Sequence, residues 1–224
     1  MNLLNQLLDA QDKALNMIKE AEKRDYFTTT ASEKELNTKL YELAFELYGI
    51  RKFWHKRIVR AGKNTLYPYR ENPENLLLKK DDILFIDFGP VFEDWEADIG
   101  DTYVIGNDSL KLKLQKDVRE AFHIGTRFFQ EKQDVTCSEL YEFTCNLAKE
   151  MGWEYGNEHC GHLVGRFPHE NLLGETLDNY IHPTNHLPMR RNDKFGEPLN
   201  WIYEIHFIDR KEEIGGFFEQ LLLQ

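Results

Sequence analysis

The chain has 224 residues, of which 41% are hydrophobic, 30% charged and 13% aromatic, and its net charge at pH 7 is −11. This length supports a sizeable core, and the negative charge without a lysine- and arginine-rich block argues against nucleic acid or an anionic membrane as partner. No segment reaches the roughly 20 apolar residues that a membrane span needs. The first residues lack signal-peptide character and the three cysteines form no Cys-X-X-Cys pair, so we expect a cytoplasmic protein.

The first third of the chain predicts two helices. Leucines at near-helical spacing predict an N-terminal helix, which we interpret as a helical extension over residues 1–30. Ser32 and Glu35 have the spacing of a capping box, which predicts that a second helix begins here and covers 33–48.

A later segment is similar to this second helix. Aligning Glu35 with Glu139 also aligns Leu43 with Leu147, and the alanines that follow them match as well. Two interpretations stay open: chance similarity between amphipathic helices, or a domain built from two related halves.

The rest of the chain predicts strands, one long helix and a loop. The apolar runs predict two hairpins, and the polar stretch that holds three of the seven prolines predicts a loop. The predicted ranges are 83–92 with 96–105, 200–209 with 214–223, a helix over 108–129, and a loop over 170–198.

Each predicted hairpin brings one pair of acids face to face inside apolar strands. A turn centred between Phe92 and Glu93 would place Asp87 directly opposite Asp98. Directly opposed residues share a face of a sheet, and opposed like charges are unfavourable unless a cation lies between them. The first hairpin therefore indicates either a cation site or a pair of unrelated surface acids.

The second hairpin repeats this arrangement. A turn over the polar residues 210–213 would place Glu204 opposite Glu219. The stretch GHLVGRFPHE then adds His162, between glycines, and His169. Four carboxylates with one imidazole suit a pair of Mn²⁺, Fe²⁺, Co²⁺ or Zn²⁺ ions.

These motifs resemble those of the pita-bread metallopeptidases, peptidase family M24, which include methionine aminopeptidase, aminopeptidase P and prolidase. GHLVGRFPHE is similar to the methionine aminopeptidase motif, whereas DFGPVFEDWEADIGDTYVIG is more similar to aminopeptidase P. The resemblance covers about residues 30–224 and rests on IDFG (Asp87), ADIGDT (Asp98), GHLVG (His162), YEIHF (Glu204) and FFEQ (Glu219).

The resemblance implies an α+β pita-bread fold, with two pseudo-symmetric αβ halves around a curved antiparallel sheet and residues 1–224 as a single catalytic domain. It also implies two divalent metal ions, foremost Mn²⁺, with Co²⁺, Fe²⁺ or Zn²⁺ as alternatives. The implied ligands are Asp87, Asp98, His162, Glu204 and Glu219.

The resemblance also implies roles in catalysis. Glu204 would act as general base in addition to binding metal, and His169 would donate a hydrogen bond to the carbonyl oxygen of the scissile bond. His206 lies two residues after Glu204, so it faces the same side of that strand and is a candidate for contact with substrate or with a neighbouring acid.

The sequence departs from the family pattern at four places. The histidine that usually precedes the first aspartate is replaced by Tyr69 and Arg70, and we consider Tyr69 as a substitute hydrogen-bonding group in the substrate site. Asp101 stands in place of an arginine, Ile205 in place of a proline, and Phe217 in place of the arginine found in prolidases. These changes affect substrate specificity rather than metal ligands.

The resemblance predicts a dinuclear metal-dependent aminopeptidase that removes an N-terminal residue from short peptides, with Xaa-Pro peptides as one candidate class. Two alternatives stay open: a hydrolase or lyase of a small non-peptide substrate, or a non-catalytic peptide-binding module. The expected partner is a peptide or small-molecule substrate, and a homodimer is compatible with the pattern.

Overall fold

The computed structural model describes residues 3–28, 31–67, 69–168 and 176–224. Within these ranges the chain is a mixture of helices and antiparallel strands, as predicted. The helices are α1 (Leu3–Lys23), α2 (Glu33–Tyr48), α3 (Ser109–Glu131) and α4 (Cys137–Met151). The strands are β1 (Ile58–Ala61), β2 (Ile83–Phe88), β3 (Val91–Phe92), β4 (Trp95–Glu96), β5 (Ile99–Val104), β6 (Glu154–Tyr155), β7 (Gly161–Val164), β8 (Asn200–Asp209) and β9 (Ile214–Leu221).

Seven of the strands in the described ranges form one sheet, with the order β1-β2-β5-β9-β8-β6. Strands β6 and β7 both pair with the same edge of β8, at opposite ends of β8. Strands β3 and β4 pair with each other in a separate two-stranded sheet. The two halves of the chain meet where Gly100 of β5 pairs with Glu219 of β9.

The similarity between α2 and α4 extends to their structure. Both helices begin with a complete capping box, at Ser32 and Thr136, and both end at a glycine in the left-handed conformation. Their buried positions also match one for one at a constant offset: Glu33, Leu36, Leu40, Leu43 and Ala44 against Cys137, Leu140, Thr144, Leu147 and Ala148. This agreement favours two related halves over chance similarity.

The helices cover one face of the sheet. Alternate residues of the central strands, such as Ile86, Ile205 and Phe218, belong to the cores formed with the helices. Because side chains alternate along a strand, Asp87, Glu204 and Glu219 point to the opposite face. Among the described residues, no helix is long and apolar enough to cross a membrane.

The second predicted hairpin is confirmed, and the register of the first is corrected. Glu204 lies opposite Glu219, but Asp87 lies opposite Gly100 rather than Asp98. The turn is centred one position later than predicted, with Glu93 in the left-handed conformation at φ 58°, and this moves the partner of each residue by two. A shift of two keeps both aspartates on one face, as diagonal neighbours.

The first hairpin is also interrupted. Its tip, β3 and β4, leaves the main sheet after Gly89 and Pro90, and Val91 donates its backbone N–H to Lys52 instead. Proline cannot donate to a sheet ladder, which accounts for the break. The predicted loop is confirmed over residues 176–198, which hold one 3₁₀ turn (Leu177–Asn179); residues 170–175 lie outside the described ranges.

Candidate metal centre

Four carboxylates from separate segments of the sheet converge on the face opposite the helices. Asp87 comes from β2, Glu204 from β8 and Glu219 from β9, and Asp98 lies immediately before β5. Each of the four residues is at most 8% exposed. Burial of this much negative charge is unfavourable without protons or cations to balance it.

His162 lies beside two of these carboxylates. Its Nε2 atom is 3.0 Å from Asp98 Oδ2 and 3.8 Å from Glu204 Oε1. Its Nδ1 atom is 2.8 Å from the backbone carbonyl oxygen of Leu163, to which an Nδ1–H donates. This hydrogen bond fixes the ring orientation and leaves Nε2 available as a ligand atom.

The close approach of two strands requires glycine at position 161, directly before His162. Gly161 has φ 146°, and a Cβ atom there would lie 2.1 Å from the carbonyl oxygen of Ile202 on β8. Only glycine allows this close approach of two strand backbones. The approach positions the imidazole of His162 over the carboxylates.

The structure adds His55, which sequence reasoning missed. Its Nε2 atom lies 3.1 Å from Asp98 Oδ1 and 3.4 Å from Asp87 Oδ1, and its side chain is 7% exposed. His55 precedes β1, where Ile58 pairs with Asp87, so the pairing of β1 with β2 brings it to the site. No motif or spacing in the sequence indicated this contact.

Glu204 has two further neighbours that sequence reasoning did not place at the site. His159 Nδ1 lies 3.4 Å from Glu204 Oε1, and Asn157 donates an amide N–H to Glu204 Oε2 at 3.3 Å. His159 is thus a further imidazole beside this carboxylate.

The donor set fits two metal ions. Ligand atoms fall into two groups whose members lie within 4.8 Å of one another, His55 with Asp87 and Asp98, and Asp98 with His162 and Glu219. Asp98 belongs to both groups. In addition, Glu219 Oε1 is buried without a hydrogen-bond partner in the described part of the chain, so it is an acceptor atom for which a cation would compensate.

The pKa values of these groups differ according to their surroundings. Burial, followed by the negative charge of the neighbouring carboxylates, raises the pKa of Glu219 well above its ordinary value. Burial also raises the pKa of Asp87, to about 7, against the influence of His55. Burial would raise the pKa of Asp98 too, but the two imidazoles beside it lower this pKa to about 2.

The two histidines respond in the opposite sense. Burial alone would lower their pKa values, but Asp87 and Asp98 raise the pKa of His55 to about 9. The hydrogen bond to Asp98 and the charge of that residue raise the pKa of His162 to about 9. The metal-free site therefore holds protons near neutral pH, and a metal ion has to displace them.

A cavity of about 980 Å³ opens over this cluster. Tyr69 lines it, but its hydroxyl accepts the backbone N–H of Lys56 at 3.2 Å. His206 also lines it, and its Nε2–H donates to the carbonyl oxygen of Thr65 at 2.8 Å rather than to an acid. His169 lies outside the described residues.

Two departures from the family pattern have visible consequences. Asp101 points to the helix face, where Arg119 of α3 binds both its oxygens at 2.9 and 2.8 Å. Phe217 lines the cavity and forms an apolar cluster there with Ile58 and Phe85. Its replacement of an arginine makes this wall apolar.

Gly100 provides the space for the side chains of Phe217 and Glu219. A Cβ atom at this position would lie 2.5 Å from Phe217 Cε1 and 3.0 Å from Glu219 Oε1. We expect Gly100→Ala to lower the free energy of unfolding by about 3 kcal/mol through overpacking, and to weaken metal binding by displacing Glu219. Chemical denaturation and metal titration would measure the two effects.

Gly196→Ala is the matched control for this change. That position is open, with φ +87°, so alanine there should cost only about 1–2 kcal/mol of backbone strain and leave metal affinity unchanged. Equal metal affinity in Gly100→Ala and the unchanged protein would contradict the packing explanation.

Comparison with known proteins identifies the family of the chain. The model of metallopeptidase family M24 matches residues 3–215 of the chain. The chain belongs to metallopeptidase family M24. The sequence-based assignment to this family is therefore confirmed.

Individual members of family M24 show the same relationship. The Xaa-Pro dipeptidase of Pyrococcus horikoshii is 27% identical over 146 residues, which are 64% of this chain and 40% of that protein. The match to the structure of the X-Pro aminopeptidase from Thermotoga maritima covers 99% of this chain and 61% of that protein, with 18% identity and a TM-score of 0.76. The match to the structure of the methionine aminopeptidase from Thermotoga maritima covers 96% of this chain and 92% of that protein, with 16% identity and a TM-score of 0.64.

These structural likenesses show the pita-bread fold, as predicted for an M24 member. The chain spans less than two thirds of the length of its Xaa-Pro peptidase relatives. M24 members use divalent metals, and the two groups of candidate ligand atoms described above give this chain the means to hold them.

Proposed function

We propose that this M24 member is a dinuclear metal-dependent aminopeptidase that removes the N-terminal residue from short peptides with proline in second position. The observation that carries the proposal is the shared position of Asp98 in two groups of ligand atoms, beside the unpartnered Oε1 of Glu219. The proposed metal ligands are Asp87, Asp98, His162, Glu204 and Glu219.

Bound divalent ions, for which we propose Mn²⁺, would polarise the scissile carbonyl and lower the pKa of water towards about 7. Glu204 is then the proposed general base, which accepts a proton and passes it to the departing amine. Burial would raise the pKa of Glu204, but His159 and His162 lower it below its ordinary value. The carboxylate is thus ionised and able to accept a proton.

The substrate side of the cavity supports a peptide with an apolar second residue. Ile58, Phe85 and Phe217 form an apolar wall next to the carboxylates, with the rings of Phe85 and Phe217 5.2 Å apart. A proline ring would bury its methylene groups there, and burial of each would stabilise binding by about 0.8 kcal/mol. The names of the relatives, Xaa-Pro dipeptidase and X-Pro aminopeptidase, point to the same class.

Other parts of the proposal come from the sequence. His169 would donate a hydrogen bond to the carbonyl oxygen of the substrate, and Tyr69 and His206 would contribute to the walls of the substrate site. A single catalytic domain, cytoplasmic residence and a homodimer also stay predictions.

A peptide panel tests the proposed reaction. Protein stripped of metal and reloaded with Mn²⁺ would be offered Xaa-Pro dipeptides, Xaa-Pro tripeptides and peptides that begin Met-Ala, with products read by mass spectrometry. We expect release of the first residue from Xaa-Pro tripeptides, and loss of this release on addition of chelator or in Glu204→Gln.

Two other results would each replace the proposal. Bound metal without cleavage of any peptide would favour a small non-peptide substrate. Absence of stoichiometric metal after loading would favour a peptide-binding module.

A further inference from the structure

Asp98 lies between two histidines that have the same geometry. His55 Nε2 is 3.1 Å from Oδ1 and His162 Nε2 is 3.0 Å from Oδ2. In each case the Nδ1 atom lies 2.8 Å from the carbonyl oxygen of the next residue, Lys56 or Leu163. With its Nδ1–H bound to a carbonyl, each ring can release its Nε2 proton and bind a metal ion through that atom, and metal-binding histidines commonly have this arrangement.

The position of His55 is fixed by its surroundings. Trp54 donates its backbone N–H to Gly89 at 2.9 Å and its ring N–H to Ala97, the residue before Asp98, at 3.1 Å. A Cβ atom at position 89 would lie 2.1 Å from His55 Cδ2. The glycine of the IDFG motif therefore makes room for this imidazole.

The distances around His55 also match a coordination shell. Its Nε2 atom is 3.1 and 3.4 Å from one oxygen each of Asp98 and Asp87. Donor atoms about 2.1 Å from one ion lie about 3.0 Å apart at right angles and about 3.4 Å apart in a tetrahedron. The two distances from His55 Nε2 are therefore those of ligand atoms in one coordination shell, and all three atoms lie within 4.8 Å of one another.

We propose that His55 is a metal ligand, bound to the ion that Asp87 holds, so that each of the two ions has one imidazole. The inference rests on the dinuclear centre of the proposed function and adds a sixth ligand residue to it. A nitrogen donor at both positions shifts metal preference from Mn²⁺ towards Fe²⁺, Co²⁺ and Zn²⁺.

Co²⁺ is the probe for this proposal. Metal-free protein would be titrated with Co²⁺ under anaerobic conditions, by calorimetry and visible absorption. We expect two ions in the unchanged protein. In His55→Ala one ion should bind as before and the other at least about 100-fold more weakly, since loss of an outer-shell partner alone costs 10–100-fold.

The control is His123→Ala, an exposed histidine on α3, which should bind both ions unchanged. A second measurement needs no variant: the Co²⁺-loaded protein should show two exchangeable, paramagnetically shifted imidazole N–H resonances in its proton NMR spectrum. A single such resonance, or two ions of unchanged affinity in His55→Ala, would overturn the inference and leave the proposed function standing. Failure of the unchanged protein to bind Co²⁺ would overturn both.

Discussion

Replacement of Asp98 by asparagine should remove both metal ions and lower kcat/KM on a cleaved peptide by at least about 10³-fold. Asp98 belongs to both groups of candidate ligand atoms, and each of its oxygens faces one imidazole. Asparagine keeps the volume but has no negative charge, and its amide N–H₂ would face one imidazole in place of an acceptor. Metal content after dialysis, measured by mass spectrometry, and steady-state kinetics would test this.

Asp101→Asn is the matched control. Asp101 is the same residue type three positions later, but it points to the helix face and binds Arg119. The control variant should lose some stability, because that pair is half buried, and keep both metals and its activity. Retention of two metals in Asp98→Asn would contradict the dinuclear assignment.

Metal affinity should rise steeply with pH. Both His55 and His162 have a pKa raised to about 9, so each carries a proton at pH 7 that a metal ion must displace. Displacement of these two protons makes the logarithm of the overall association constant for both ions rise by nearly 2 per pH unit near pH 7 and by about 1 at pH 9, which is roughly 10³-fold in all. Calorimetric titration in buffers of different ionisation enthalpy would give both the affinity and the number of released protons.

Stability of the metal-free protein should change in the opposite direction. A histidine with a raised folded-state pKa stabilises the fold fully below its unfolded value, 6.5, and this contribution is lost as pH rises through about 9. The metal-induced increase in Tm should therefore be larger at pH 9 than at pH 6.5. A weak dependence of metal affinity or of metal-free stability on pH would indicate that the two imidazoles are already neutral at pH 7.

Most of the candidate ligands could be predicted from sequence because they depend on local rules. A strand alternates its side chains between two faces, so apolar runs with an embedded acid indicate which acids share a face. The polar turn over residues 210–213 fixed the pairing of Glu204 with Glu219, which the structure confirms. The capping boxes of α2 and α4 are equally local, since each joins residues three positions apart.

The register of the first hairpin could not be predicted with the same accuracy. It depends on where Glu93 adopts a left-handed conformation and on the interruption at Gly89 and Pro90. The error of two positions left Asp87 and Asp98 assigned to the correct face, because the side chains of a strand return to the same face every two residues.

The sequence by itself determined the family and the fold class, through the resemblance of its motifs to those of M24 members. It also determined the face on which Asp87, Asp98, Glu204 and Glu219 lie, because turn chemistry and strand periodicity act over a few residues. Only the tertiary structure decided that His55 and His159 join them and that Asp101 pairs with Arg119. Those contacts join segments that are distant in the chain, and their geometry follows from how β1, β7 and α3 pack against the central strands. Packing of this kind leaves no periodic signal in the sequence.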